Sequence, residues 1–182
     1  MSKSDNSLYI RSGSESLIVI ILYVDDLVIR GEHLVEINKV KSLLSDKFEM
    51  TDMKDLHYFL GIKVIRTPIG IMISQRYHIL NLLYKFGMDE CKSVATPLDR
   101  NLKLDANSGT NACEPTQYRQ LIGSLIYLTI TRPDLSYHVG LPSQFMQTPH
   151  DIHLDCAKRV LWYVSGTMDC GIIYKTTIPI WL

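Results

Sequence analysis

The sequence predicts an α+β protein, with β-hairpins and a covering helix in front and helices behind. Three observations predict it. β-branched runs broken by turn residues fill most of residues 16–75, and apolar residues recur at helical spacing beyond residue 76. After the first of these helical segments, the polar stretch TPLDRNLKLDANSGTNACEPT (96–116) has no periodicity and suggests a border between two sub-regions. The chain has 182 residues, 46% of them apolar, enough to bury a core. Lys plus Arg and Asp plus Glu number 19 each, so no net field draws the chain to nucleic acid or an anionic membrane. Any such binding must use local patches. Cys91, Cys113, Cys156 and Cys170 form no CxxC pair, which suits reduced thiols in an intracellular protein better than a disulfide frame or zinc knuckle.

The first strong element is SLIVIILYV, short and β-branched, which suits a strand buried on both faces. Its apolar run, Leu17 to Val24, is far shorter than the roughly 20 residues of a membrane helix. Two aspartates would add roughly 2.5 to 3.5 kcal/mol each to such a span, so no membrane association is expected. No basic leader or cleavage site flanks the run. LVIRG resumes the pattern after Asp25 and Asp26, placing both carboxylates at a tight hairpin turn. HLVEINKVKSLLSDKF spaces Leu34, Ile37, Val40, Leu43 and Leu44 as the apolar stripe of a covering helix.

YFLGIKVIRTPIGIMISQ alternates with period two in Leu60, Ile62 and Val64, turns at TPIG with Pro68 in its favoured second position, and returns through Ile71 and Ile73, predicting another hairpin. RYHILNLLYKFGM is a short helix closed by Gly87. QYRQLIGSLIYLTI carries Leu121, Ile122, Leu125 and Leu128 on one face. TRPDLSYHVG opens another helix with Pro133 in its first turn, and Pro142 should break or kink it. In TPHDIHLDCAKRVLWYVSG, Thr148 is the expected N-cap, Pro149 the first helical residue, Asp151 the capping-box acid and Gly166 the stop. Leu154, Val160, Leu161 and Val164 form its predicted buried stripe.

Two adjacent carboxylates on a turn form a hard-oxygen site of the kind magnesium accepts. The plain alternative is a solvated acidic turn, since Asp is a common turn residue. The setting of Asp25 and Asp26 between two hydrophobic strands favours the first reading. Tyr23, Val24, Asp25 and Asp26 spell YVDD, and a YxDD hairpin resembles the active site of reverse transcriptases. YVDD is the form typical of copia-type LTR retrotransposons. FEMTDM, YFLGIKV, ISQRYHI, LLYKFGM, CKSVATPLD, YRQLIGSLIYLTITRPDLSY, FMQTP, AKRVLWYVSGT and GIIY also resemble copia-type polymerase, in its order, from about Ser4 to Tyr174.

The resemblance implies a partial palm over 1–75, a thumb-like helix over 76–95, the long loop 96–116, a helical connection over 117–175 and a tail over 176–182. It implies RNA-directed DNA synthesis by two-magnesium nucleotidyl transfer. Asp25 and Asp26 would be the catalytic and metal-holding pair. Tyr23, Val24, Phe59, Leu60 and Gly61 would position primer and nucleotide, the last three in a primer-grip-like hairpin; plain strand packing is the alternative for Phe59 and Leu60. Template–primer nucleic acid and an N-terminal polymerase half are the implied partners, in a cytoplasmic or nuclear compartment, with organellar residence left open.

Departures from the family pattern qualify that picture. Segments resembling VKTAFLNG, which holds a further metal-binding Asp, and LYGLKQAPRAW are missing, as is the SDADW-like opening of a ribonuclease H domain. Lys54 stands where Gly is usual, Gln144 and Trp162 where Arg is usual, and Pro142 lies inside an expected helix. This chain alone is therefore expected to bind metal weakly and not to polymerise. The alternative is a non-enzymatic transposon remnant with at most nucleic-acid or partner binding. His150 and His153, three apart, could ligate a metal, but solvated polar residues near a helix start are the plainer reading. Lys158 and Arg159 could meet phosphates, though such a pair usually marks a solvated face.

Overall fold

A computed structural model describes residues 5–12, 17–99, 102, 104, 105 and 111–175. The 176–182 tail, much of the 96–116 loop and the Gly13–Ser14 break before the first strong strand lie outside the described residues. The fold is mixed, with five α-helices and two antiparallel sheets among the described residues. The chain divides into two compact units between Phe59 and Leu60, ahead of the polar loop.

In the first unit, β1 (Leu8–Ser12), β2 (Leu17–Tyr23) and β3 (Asp26–Gly31) form a sheet in that order, followed by α1 (Leu34–Ser45) and a two-residue strand, β4 (Tyr58–Phe59). β1 has no counterpart among the sequence expectations, because LYIRS is too short and mixed to register as a strand without its partner. It pairs with β2 from Leu8↔Ile21 to Ser12↔Leu17. β2 pairs with β3 from Ile18↔Gly31 to Tyr23↔Asp26. Side-chain alternation therefore puts Ile18, Ile20 and Leu22 on one face, and Val19, Ile21 and Tyr23 on the other. α1 lies over the first face: a Cβ on Gly31 would meet Ile37 Cγ1 at 3.1 Å and Ile18 Cγ1 at 3.5 Å.

Two sequence expectations need correction in this unit. β2 is not buried on both faces, since Ile18 alone is buried and Leu22 and Tyr23 are exposed. α1 covers part of one face; on the other, Ile21 and Tyr23 are exposed. The α1 stripe is likewise only half right: Ile37, Val40 and Leu44 are half-buried, but Leu34 and Leu43 are 75% and 63% exposed.

The second unit has its own core. β5 (Ile62–Thr67), β6 (Gly70–Ser74) and β7 (Ile172–Lys175) run antiparallel in that order. The β5–β6 turn falls at Pro68–Ile69 as the sequence predicts, with Thr67 Oγ1 donating to Gly70 O at 2.9 Å. β7 was not anticipated, because GIIY is four residues whose partner lies a hundred positions upstream. Its approach to β6 is close: a Cβ on Gly171 would lie 2.1 Å from Ile73 O, and one on Gly70 2.0 Å from Tyr174 O.

The same unit holds four helices that pack on one another: α2 (Arg76–Lys85), α3 (Pro115–Leu128), α4 (Ser136–Ser143) and α5 (Asp151–Ser165). Their apolar stripes meet in one cluster built from Ile79 and Leu82 of α2, Leu121 and Leu125 of α3, and Val160 and Leu161 of α5. α2 ends at Gly87, whose φ of +64 suits a glycine stop. α3 starts at a Glu114 cap that accepts the Thr116 and Gln117 backbone N–H groups. The Gln117 N–H, and then that of Thr116, hold the Glu114 carboxyl below its usual range. A 3-10 turn (Pro133–Leu135) precedes α4, which ends one residue past Pro142.

α5 begins two residues later than the sequence suggests, with His150 rather than Thr148 at the cap position. Cross-chain bonds explain the delay. Cys113 N–H donates to Pro149 O at 3.1 Å, Asp151 N–H to Asn111 O at 2.9 Å, and Ala112 bridges His150, so this segment is extended. His153 is not solvated as expected but fully buried, stacked on Phe145 at 4.1 Å, with Nδ1 accepting from His150 N–H at 3.0 Å. No helix among the described residues is long and apolar enough to cross a membrane.

Candidate active site

The YVDD hairpin is built by the β2–β3 register. Tyr23 and Asp26 form the closing pair, leaving Val24 and Asp25 as the two turn residues. Val24 has a φ of +50 and Asp25 does not have a positive one, the φ signs of a type II′ turn. Glycine is preferred at that first position, so a β-branched residue there is strained. The carboxylates are thus not equivalent: Asp25 stands in the turn and Asp26 opens β3. By alternation, Asp26 shares the face of Tyr23 and Ile21, away from α1. All four residues are exposed, Val24 at 79%.

Asp25 and Asp26 offer oxygen ligands only, a donor set that fits magnesium. They do not make a complete cluster. Among the described residues, no group of three or more His, Cys, Asp or Glu side chains could hold a metal ion, and His150 with His153 makes none either.

The other predicted residues are divided by the unit border. Phe59 is half-buried and ends the first unit; Leu60 and Gly61 open the second. Leu60 has φ +51 and Gly61 φ +77, the φ signs of a type I′ turn. The Tyr127 hydroxyl donates to Leu60 O, and a Cβ on Gly61 would sit 3.0 Å from that hydroxyl oxygen. Lys54 is the third non-glycine residue with positive φ, at +61. Its N–H donates to Asp52 Oδ1 at 2.9 Å, and Lys41 Nζ reaches Asp52 Oδ2 at 3.1 Å. The Lys54 N–H, and then Lys41, lower the Asp52 pKa.

Residues 1–100 match the family described as reverse transcriptase (RNA-dependent DNA polymerase). The chain belongs to the reverse transcriptase family. It is 45% identical over 174 residues to the retrovirus-related Pol polyprotein from transposon RE2 of Arabidopsis thaliana, covering 96% of this chain and 12% of that protein. The Arabidopsis RE1 polyprotein is 43% identical with the same coverage. The TNT 1-94 polyprotein of Nicotiana tabacum is 35% identical over 97% of this chain and 14% of its own length. The chain thus spans about an eighth of these copia-type relatives. No solved structure matches it significantly.

The reverse transcriptase match ends at residue 100, so it takes in the YVDD hairpin, Lys54, the Leu60–Gly61 turn and α2, while α3, α4, α5 and β7 lie beyond it. Sequence reasoning missed Tyr127, which stands off the apolar stripe of α3. The available signal was a polar-tipped aromatic in an otherwise apolar run. It also missed Gln75, 1% exposed, whose Nε2 donates to Tyr127 O at 3.3 Å and whose Oε1 accepts from Thr131 Oγ1 at 2.8 Å. Arg159 is less solvated than expected, with Nη2 3.3 Å from Thr96 Oγ1.

Proposed function

We propose that this chain supplies the YVDD part of an RNA-directed DNA polymerase and completes its catalytic site only with another polymerase segment. The observation that carries the reading is the hairpin itself, with both carboxylates exposed at the end of two hydrophobic strands. Asp25 and Asp26 would hold magnesium, which when bound neutralises charge on the transferring phosphoryl group. Tyr23 shares its face with Asp26 and would form a floor under the primer terminus, while Val24 fixes the turn that presents Asp25. Phe59, Leu60 and Gly61 would place the primer end, with Gly61 allowing close backbone approach.

On this reading residues 1–75 are a partial palm, 76–95 a thumb-like helix, 96–116 a long loop, 117–175 a connection and 176–182 a tail. Template–primer is the nucleic-acid partner, and a segment bearing a further carboxylate is the protein partner. The exposed sheet face and the two-member carboxylate set support that dependence. The competing reading, a remnant without enzymatic function, is separated by primer extension on an RNA template with magnesium and deoxynucleotides. The chain alone should incorporate nothing. Joined to a polymerase segment that precedes it in a relative, it should extend the primer, and Asp25→Asn should lower the rate at least ~100-fold, about 2.7 kcal/mol of transition-state stabilisation. Extension that survives Asp25→Asn would remove the assignment, and none from the joined protein would favour the remnant.

A further inference from the structure

We propose that Tyr127 is a positioning residue for the primer end, acting through the Leu60–Gly61 turn; this rests on the reading of that turn as a primer grip. Both turn residues have positive φ, which glycine tolerates and leucine resists. The Leu60 carbonyl belongs to the central peptide of the turn, where the strand ladder offers it no donor. Tyr127 supplies one, its hydroxyl donating to Leu60 O. The fit also constrains the neighbour, because the space for a Cβ at Gly61 is taken by the same hydroxyl at 3.0 Å. One side chain therefore holds the turn in an unfavourable backbone geometry and keeps a glycine at its tip.

The hydroxyl is itself held in place. The Tyr127 ring meets His78 edge-on, with centroids 4.9 Å apart and planes at 90°. His78 Nε2 lies 3.1 Å from Ser124 O, one turn earlier on α3. The Tyr127 carbonyl takes the Gln75 amide, and Gln75 is locked in turn by Thr131. His78 on α2 and Gln75 just before it thus hold Tyr127 at two points, its ring and its backbone carbonyl. Tyr127 lies beyond residue 100, so the helical region outside the family match sets the shape of a turn inside it. The direct purpose of such a clamp is to keep the grip backbone rigid where a primer end must be placed within a fraction of an ångström.

The test uses the full chain, a Tyr127→Phe variant that keeps the ring on His78, and Ile126→Ala at an exposed neighbouring position as control. Amide hydrogen exchange reads the clamp. A template–primer with a photoreactive group at the primer 3′ end, at equal bound fraction, reads primer placement through adducts on the peptide spanning 58–62. In Tyr127→Phe, exchange across Leu60–Ile62 should speed at least tenfold while α5 is unchanged, and adducts on 58–62 should fall at least threefold. Ile126→Ala should alter neither. Unchanged exchange at the turn would overturn the clamp. Faster exchange with unchanged adducts would leave the clamp purely structural and overturn the positioning role. Absence of adducts on 58–62 in the unsubstituted chain would instead remove the grip reading, and the inference with it.

Discussion

Val24, Lys54 and Leu60 are the only non-glycine residues with positive φ among those described; Val24 and Leu60 fall in segments resembling the family's motifs, and Lys54 directly follows one. Strain of this kind persists where surrounding structure enforces it, and it gathers at functional sites. Lys54 is the informative case, since its φ of +61 is one that glycine adopts without strain and lysine resists, and the family resemblance leads one to expect Gly there. Replacing it with glycine removes a left-handed penalty of about 1–2 kcal/mol and adds about 0.5–1 kcal/mol of chain entropy loss. Lys54→Gly should therefore stabilise the fold by a net of about 0–1.5 kcal/mol, read as a higher denaturation midpoint at constant slope. Acid sensitivity also resolves to single residues. Glu114 and Asp52 have lowered pKa values through accepted backbone N–H bonds, and Asp134 through its bonds to Arg132. A carboxylate with a lowered folded pKa stabilises the fold above its unfolded value and loses that contribution as pH falls through the folded one. Melting temperature should thus begin to fall as pH drops to the ordinary 4.5 of Glu114 and decline further below it. Glu114→Gln should lower the neutral-pH melting temperature and flatten that acid decline.

The two groups of elements draw on different amounts of burial. α3 and α5 each place several fully buried side chains in the second unit's core, whereas α1 has none. Leu125→Ala should therefore cost about 2–5 kcal/mol, with Leu43→Ala on α1 under about 0.5 kcal/mol, both read from chemical denaturation. Helical periodicity made α2, α3 and α5 visible in the sequence because 3.6-residue spacing is a local property. The Thr67–Gly70 turn and Pro142 near the end of α4 were visible for the same reason. β1 and β7 were not, since a strand of four or five residues is defined by a partner, and β7 finds its own in β6, about a hundred residues earlier. The start of α5 shifted on similar grounds, with residues 111–113 binding the chain that local signals would place inside the helix.

At the scale of the whole molecule, the apolar surface is unevenly spent. Ile18 is the one buried apolar residue described in the first unit, while the second holds the remaining core. Local opening needs little free energy where few apolar contacts are broken. Native-state hydrogen exchange should accordingly show amides of β1–β3 and α1 exchanging at least tenfold faster than those of α3 and α5. Uniform protection across both units would contradict this difference. The exposed apolar residues of its strands also make the first unit the expected origin of aggregation.

The sequence alone determined the hairpin that holds Asp25 and Asp26, most helices, and the likeness to reverse transcriptases, because these depend on short-range periodicity and on motifs read in order. It also carried the residues of the candidate grip, Phe59, Leu60 and Gly61. The tertiary structure alone decided which of the two aspartates stands in the turn, that β2 is largely uncovered, that His153 is buried, and that Tyr127 reaches back to Leu60. Each depends on what a residue meets after the chain has folded over tens of positions. Burial and hydrogen-bond partnership are properties of that meeting, and no local spacing encodes them.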